Sequence, residues 1–218
     1  MDYAEAVNRL SRPFPERWPT TPAALMPVLT STGGRRPDLP EPGTTPRSAA
    51  VLVLVVPGPE GDARVVLTER AHLGGHHSGE VSLPGGAVEA DDTDDVAAAL
   101  REATEEIGLD ARAAEVRVVG RLEPFTIPVS GFTVSPVVAI ARHRWHWHAQ
   151  PDEVRRVVEA PLAAFLPDAP IVLVHDEIRG MPLRYGAYPV EDLVVWGATA
   201  RILAQLGAIV AGSGPARD

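Results

Sequence analysis

The chain has 218 residues, 45% of them hydrophobic, and a net charge of −9, which suits one generous domain and disfavours a broad nucleic-acid surface. It has no cysteine, and all 20 of its basic residues are arginine, which excludes disulfides, zinc–thiolate centres, thiol nucleophiles, a Walker-type lysine and a Schiff base. No apolar run approaches a membrane span, and no basic region followed by an apolar stretch opens the chain, so the sequence reads as a soluble, unexported, cytoplasmic protein.

In chain order, residues 3–10 read as a short helix. Residues 11–47 carry nine prolines, at 13, 15, 19, 22, 27, 37, 40, 42 and 46, and read as an extended arm. Residues 49–56 (AAVLVLVV) form a continuous apolar run ending at Pro57-Gly58, the pattern of a buried strand. A turn at 58–62 leads to a second strand at 64–70, giving a hairpin. Residues 71–86 read as a glycine-rich loop.

Helix signals run from 92 to 107, with Val96, Leu100, Ala103 and Ile107 as an apolar stripe and the glutamates on its far side. Asp92 is the expected N-cap and Gly108 the C-terminal stop. Strands follow at 115–122, 132–141, 153–159 and 171–174, with a hairpin at 178–185. Residues 191–210 read as a terminal helix burying Leu193, Trp196, Ala200, Leu203 and Ile209, and the tail from 212 as frayed. The expected organisation is a helix and arm over 1–48, a catalytic domain over 49–210 and a tail over 211–218. The expected fold class is α/β, a mixed sheet between helices.

Glu102, Glu105 and Glu106 lie at i, i+3 and i+4 and share one helical face. Gly85-Gly86 lies one helix-length upstream, and Asp91, Asp92, Asp94 and Asp95 crowd the helix start. Clustered carboxylates repel one another unless water or a cation separates them. A hard cation such as Mg²⁺ takes oxygen ligands and bridges to phosphates, so a metal and a phosphorylated substrate are the first hypothesis.

Residues 101–109 (REATEEIGL) resemble the second half of the Nudix signature. The first half is shifted. Counting back from Arg101 puts Thr93 in the glutamate slot and Ala87 in the glycine slot. From Gly86, five residues lead to Asp92 and eight more precede Arg101, one more than usual, with Asp92 as the substitute carboxylate. Leu67-Thr68-Glu69-Arg70-Ala71, Gly79 and Leu83-Pro84-Gly85-Gly86 resemble the coenzyme A pyrophosphatase subgroup. So do residues 130–138, 152–154 and 195–200, and the similarity spans 49–206. Gly75 stands where the subgroup has an arginine.

The resemblance implies the Nudix α/β/α sandwich and Mg²⁺- or Mn²⁺-dependent hydrolysis of a diphosphate, with coenzyme A giving 3′,5′-ADP and 4′-phosphopantetheine. It implies Glu102, Glu105 and Glu106 as metal ligands, helped by the Gly86 or Gly85 carbonyl, with Glu105 ligating or pairing with Arg101. The catalytic carboxylates would be Glu102, Glu105 and Glu153, the general base being a helix glutamate or Glu153. Arg70, His77 and Gly85 would contact substrate. A homodimer is expected. Gly75 keeps open a Nudix hydrolase of ADP-ribose, dinucleotides or nucleoside triphosphates. Thr93 keeps open a nucleotide-binding module without turnover. Residues 142–148 (RHRWHWH) place Trp145 and Trp147 on one face of an edge strand or dimer contact.

Overall fold

The computed structural model describes residues 1–31, 33–34, 47–71, 80–127, 131–178 and 181–212. In order these give α1 (Tyr3–Leu10), a 3₁₀ turn (Ala23–Leu25), β1 (Val28–Leu29), β2 (Arg47–Pro57), β3 (Ala63–Arg70), β4 (Val81–Ser82), β5 (Gly85–Ala87) and α2 (Asp95–Ile107). Then come β6 (Val116–Arg121), β7 (Phe125–Ile127), β8 (Phe132–Ala141), β9 (Val154–Pro161), a second 3₁₀ turn (Leu162–Phe165), β10 (Val172–Ile178), β11 (Met181–Val190), β12 (Leu193–Val195) and α3 (Gly197–Ala211).

The apolar run at 49–56 forms the hub strand β2. A strand covered on both faces loses the usual apolar–polar alternation, and here both faces are covered. Val53 and Val55 enter a core with α1 and α3, while Leu52, Leu54 and Val56 enter a core with α2. The main sheet runs β4-β3-β2-β8-β6, with β5 on β2, β7 on β8 and β9 on β3. The β2–β8 pair is parallel and the other pairings are antiparallel, so the sheet is mixed and the α/β/α class holds. A second sheet orders β1-β11-β10, with β12 on β11.

Helix α1 enters the core rather than the solvent. Ala6 and Leu10 are fully buried, the Tyr3 hydroxyl donates to the Ala141 carbonyl, and Arg9 donates to the carbonyl of Val210 on α3.

Several element boundaries differ from expectation. The strand expected at 171–174 and the hairpin expected at 178–185 form one hairpin, β10 with β11. Helix α2 starts at Asp95, and Asp94 rather than Asp92 caps it, accepting from the Ala97 amide at 2.8 Å. Asp92 is occupied elsewhere, as described below. The terminal helix starts at Gly197, because Leu193–Val195 folds back as β12 against Val190–Tyr188. Leu193 and Trp196 therefore precede the helix.

Candidate active site

The site is built where β5 runs beside the hub strand. Val51, Ala50 and Ala49 pair with Gly85, Gly86 and Ala87. At Gly85, with φ of +155°, a Cβ would lie 2.3 Å from the Ala50 carbonyl oxygen and 2.6 Å from the Val51 Cα. Only glycine allows that approach. At Gly86 a Cβ would lie 2.4 Å from Oε1 of Glu102. The paired glycines thus do two jobs: the first lets the backbones close, and the second leaves room for a carboxylate.

Helix α2 reaches this turn through small side chains. Ala98, Ala99 and Ala103 are fully buried against the sheet with Ile107, while Val96 and Leu100 are only partly covered. The expected stripe is therefore rotated, and Glu106 lies on the covered side at 7% exposure. The Gly85 amide donates to its Oε2 at 3.1 Å. Burial pushes the Glu106 carboxyl up to about 7; the Gly85 bond and the Arg70 charge oppose the rise, and the charges of Glu102 and Glu153 add to it. Burial also raises Glu102, with Arg101 opposing and Glu105 and Glu153 adding. Glu153 and Arg70, drawn from other elements, thus share the electrostatic neighbourhood of the helix acids.

Arg101 organises the outer face. Its Nε and Nη2 donate to the two oxygens of Asp92, both at 3.1 Å. Nη2 also donates to the Ala87 carbonyl at 3.1 Å, and Nη1 to Glu102 and Glu105 at 3.1 and 3.0 Å. The fork geometry of a guanidinium makes such a hub feasible where an ammonium could not. Asp92 also accepts from the Glu89 amide at 2.8 Å, and these bonds hold its carboxyl below the usual range, the Arg101 bond most strongly. Asp92 is therefore the arginine's carboxylate partner in the lengthened loop, which is why it does not cap the helix. The Arg101–Glu105 pair expected from i, i+4 spacing is present.

The segment after β8 is not a strand. Its amides close the end of α2 instead: His148 donates to the Ile107 carbonyl at 3.0 Å and Gln150 to the Glu106 carbonyl at 2.8 Å. Trp145 Nε1 adds a bond to the Gly108 carbonyl at 2.8 Å, and Trp147 Nε1 one to Glu159 at 2.7 Å. Both indoles pack on the α2 core, so the alternation did place them on one side. Helix ends leave carbonyls unpaired, and this segment supplies the donors. It then leads to Glu153, whose carbonyl accepts from the Ala71 amide at 2.9 Å, joining the later loop to the end of β3 beside Arg70.

Sequence reasoning missed Glu69. It is 3% exposed in β3 and held by Arg155 at 2.6 Å and Arg156 at 2.5 Å. The signal was available: a carboxylate in a buried strand needs compensating charge, and Arg155-Arg156 follow Glu153 after a single intervening valine. His76, His77, Gly75, Gly79 and Ser130 lie outside the described residues.

The donor set offered to a metal is all oxygen, which suits Mg²⁺ or Mn²⁺. Among the described residues no three His, Asp or Glu side chains already converge as a cage; Arg101 draws Glu102 and Glu105 toward itself. Glu102 and Glu106 lie one turn apart, and burial raises both. The residues present therefore fit a hard cation.

A family model described as the NUDIX domain matches residues 46–175. The chain belongs to the Nudix family. It is 41% identical over 170 residues to Nudix hydrolase 15, mitochondrial, of Arabidopsis thaliana, an alignment covering 75% of this chain and 59% of that protein. It is 40% identical over 171 residues to an uncharacterized Nudix hydrolase, NudL, of Salmonella newport (strain SL254), covering 78% of this chain and 86% of that one. The chain thus spans well under two thirds of the plant relative's length but most of the bacterial one. A Nudix hydrolase of M. smegmatis, RenU, superimposes with a TM-score of 0.52 at 19% identity, covering 94% of this chain and all of that one, which shows the Nudix fold.

Proposed function

We propose that this Nudix protein is a metal-dependent diphosphatase acting on nucleoside-diphosphate-linked substrates, and that coenzyme A or its thioesters are its substrate. The observation that carries the reaction is Glu106, a buried carboxylate fixed by the Gly85 amide beside Glu102. Glu102, Glu105 and Glu106, with the Gly86 carbonyl, would hold Mg²⁺ or Mn²⁺. When bound, the metal supplies positive charge against the phosphate oxygens and lowers the pKa of attacking water.

The remaining work falls to the chain. Arg101 holds Glu102 and Glu105 in fixed directions. Glu153, exposed at the rim and coupled to Glu102 and Glu106, takes the proton from the attacking water, with Glu102 the other candidate base. Arg70 binds a phosphate at the end of β3. Water adds to one phosphorus, the bridging P–O bond breaks, and the leaving phosphate keeps the bridging oxygen.

Coenzyme A is favoured by the subgroup motifs, of which Leu67-Thr68-Glu69-Arg70 lie in β3 and Gly85-Gly86 in β5. A panel of coenzyme A, ADP-ribose and a dinucleoside polyphosphate, assayed with Mg²⁺ and Mn²⁺, tests the reading by product identity. Coenzyme A should give 3′,5′-ADP and 4′-phosphopantetheine. Preference for ADP-ribose would replace the substrate but keep the chemistry. Absence of turnover across the panel would overturn the diphosphatase itself.

A further inference from the structure

Arg201 differs from the arginines of the carboxylate networks. Arg101, Arg121 and Arg156 each meet carboxylates. Arg201 forms no ion pair among the described residues, and its Nε is buried without a hydrogen bond. Its guanidinium lies over the Phe125 ring, 4.5 Å from Cζ to the centroid. Burying Nε without a hydrogen bond costs stability, and the Phe125 ring faces the cation without satisfying that N–H.

Beside it opens a cleft of about 510 Å³, lined by Trp18, Thr20, Glu123, Arg201 and Gln205 among others. That volume falls within the range of small-molecule sites. Gln205 is only 4% exposed and donates to Oε2 of Glu123 at 3.2 Å, which aims the glutamate and leaves Oε1 to accept from elsewhere. Arg17 and Glu16 also line the cleft and offset each other in charge. The side chains thus present a guanidinium fork, a positioned carboxylate and an indole.

The cleft lies across the sheet from the carboxylate helix. Phe125 packs with the α1–α3 core, whereas a side chain at Gly86 would point at Glu102 on the α2 side. Phe125, Val134, Ala49 and Ala87 form one row across paired strands. Three strand spacings put Phe125 about 14 Å from Ala87.

We propose that this cleft binds a nucleoside monophosphate at a site separate from the Glu102–Glu106 centre, with the phosphate on Arg201, the ribose hydroxyls on Glu123 and the base against Trp18. A guanidinium matches phosphate in geometry as well as charge. A carboxylate accepts from ribose hydroxyls, and an indole face stacks on any base. An inorganic anion alone would leave the carboxylate and the indole unused.

Isothermal titration of the metal-free full chain with AMP, adenosine and inorganic phosphate tests this. AMP should bind at one saturable site, at least tenfold more tightly than adenosine or phosphate. R201Q should weaken AMP binding at least tenfold, and E106Q should leave it unchanged. Trp18→Leu is the second variant should R201Q fail to keep the wild-type unfolding transition, and it too should weaken AMP. Equal affinity for phosphate and AMP would overturn the nucleotide assignment. Loss of binding in E106Q would move the ligand to the carboxylate centre and overturn the separate site. No saturable binding at millimolar AMP, or a folded R201Q or Trp18→Leu protein that binds like the wild type, would overturn the proposal outright.

Discussion

The amide of Gly85 and the carboxylate of Glu106, twenty-one residues apart in the chain, meet at 3.1 Å. One bond thereby locks the glycine turn of β5 to the last turn of α2. Moving either element moves the other, and the candidate site inherits its geometry from that lock.

The two glycines should respond oppositely to alanine. In Gly85→Ala the new methyl meets backbone, 2.3 Å from the Ala50 oxygen, and β5 must leave β2. The expected cost is about 1–3 kcal/mol, read by urea unfolding, together with lost activity. In Gly86→Ala the methyl first meets the Glu102 carboxylate, the far end of a side chain that can shift at the expense of its Arg101 bond. That variant should unfold near the wild-type midpoint yet turn over slowly. Equal stability losses in both would contradict the distinction.

Metal-free protein should lose stability as pH rises. Glu106 is raised from 4.5 to about 7, so between those values the folded state holds a proton that the unfolded state has released. Its contribution is complete below about pH 4.5 and gone above about pH 7, on the order of 3 kcal/mol. Glu102, also raised, acts in the same direction. Urea unfolding in chelator should show a lower midpoint at pH 8 than at pH 5, and Glu106→Gln should flatten that difference. Mg²⁺ or Mn²⁺ added at pH 8 should restore the wild type and leave Glu106→Gln unchanged. The same substitution should lower kcat at least about 100-fold if the residue ligates the metal.

Much of this site was legible in the chain. The helix acids, the glycine turn and the Arg101–Glu105 pair follow from local spacing, which the α-helix converts directly into geometry. The burial of Glu106 did not, because the helix packs through alanines, and a hydrophobicity pattern weights Val96 and Leu100 more heavily. The sequence does not single out the N-cap, because four aspartates within five positions offer the same carboxylate. What selects among them is Arg101, nine residues on from Asp92. Strand β12, at three residues, is too short to interrupt a helical pattern. The tryptophan segment alternates like a strand but spends its amides on a helix end, a tertiary choice with no local signature.

Arg101→Lys should fold and keep its positive charge but lose the fork that reaches Asp92, Glu102, Glu105 and the Ala87 carbonyl together. A drop of about 10–100-fold in kcat/KM is expected, measured at saturating metal. Asp92→Asn, which keeps the shape and removes the charge, should fall in the same direction. An Arg101→Lys protein of wild-type activity would show that the hub is not needed to aim the acids.

Trp145→Phe removes one indole donor from the Gly108 carbonyl and keeps most of the packing. The expected loss is about 1 kcal/mol in unfolding free energy. Amide exchange should quicken in the last turn of α2, where His148 and Gln150 share the capping. Unchanged exchange there would mean that the two backbone bonds suffice.

The three alanines beneath α2 act as a gauge. Ala98, Ala99 and Ala103 hold the helix one methyl group away from the sheet, so the distance from Glu102 and Glu106 to the glycine turn is set by side chains that touch no substrate. An ångström of displacement at a reacting centre can cost about 100-fold in rate. Tolerance to inherited variation should therefore be narrowest at positions with no chemistry of their own, where a single added carbon lifts the carboxylates out of reach while leaving every functional group chemically intact.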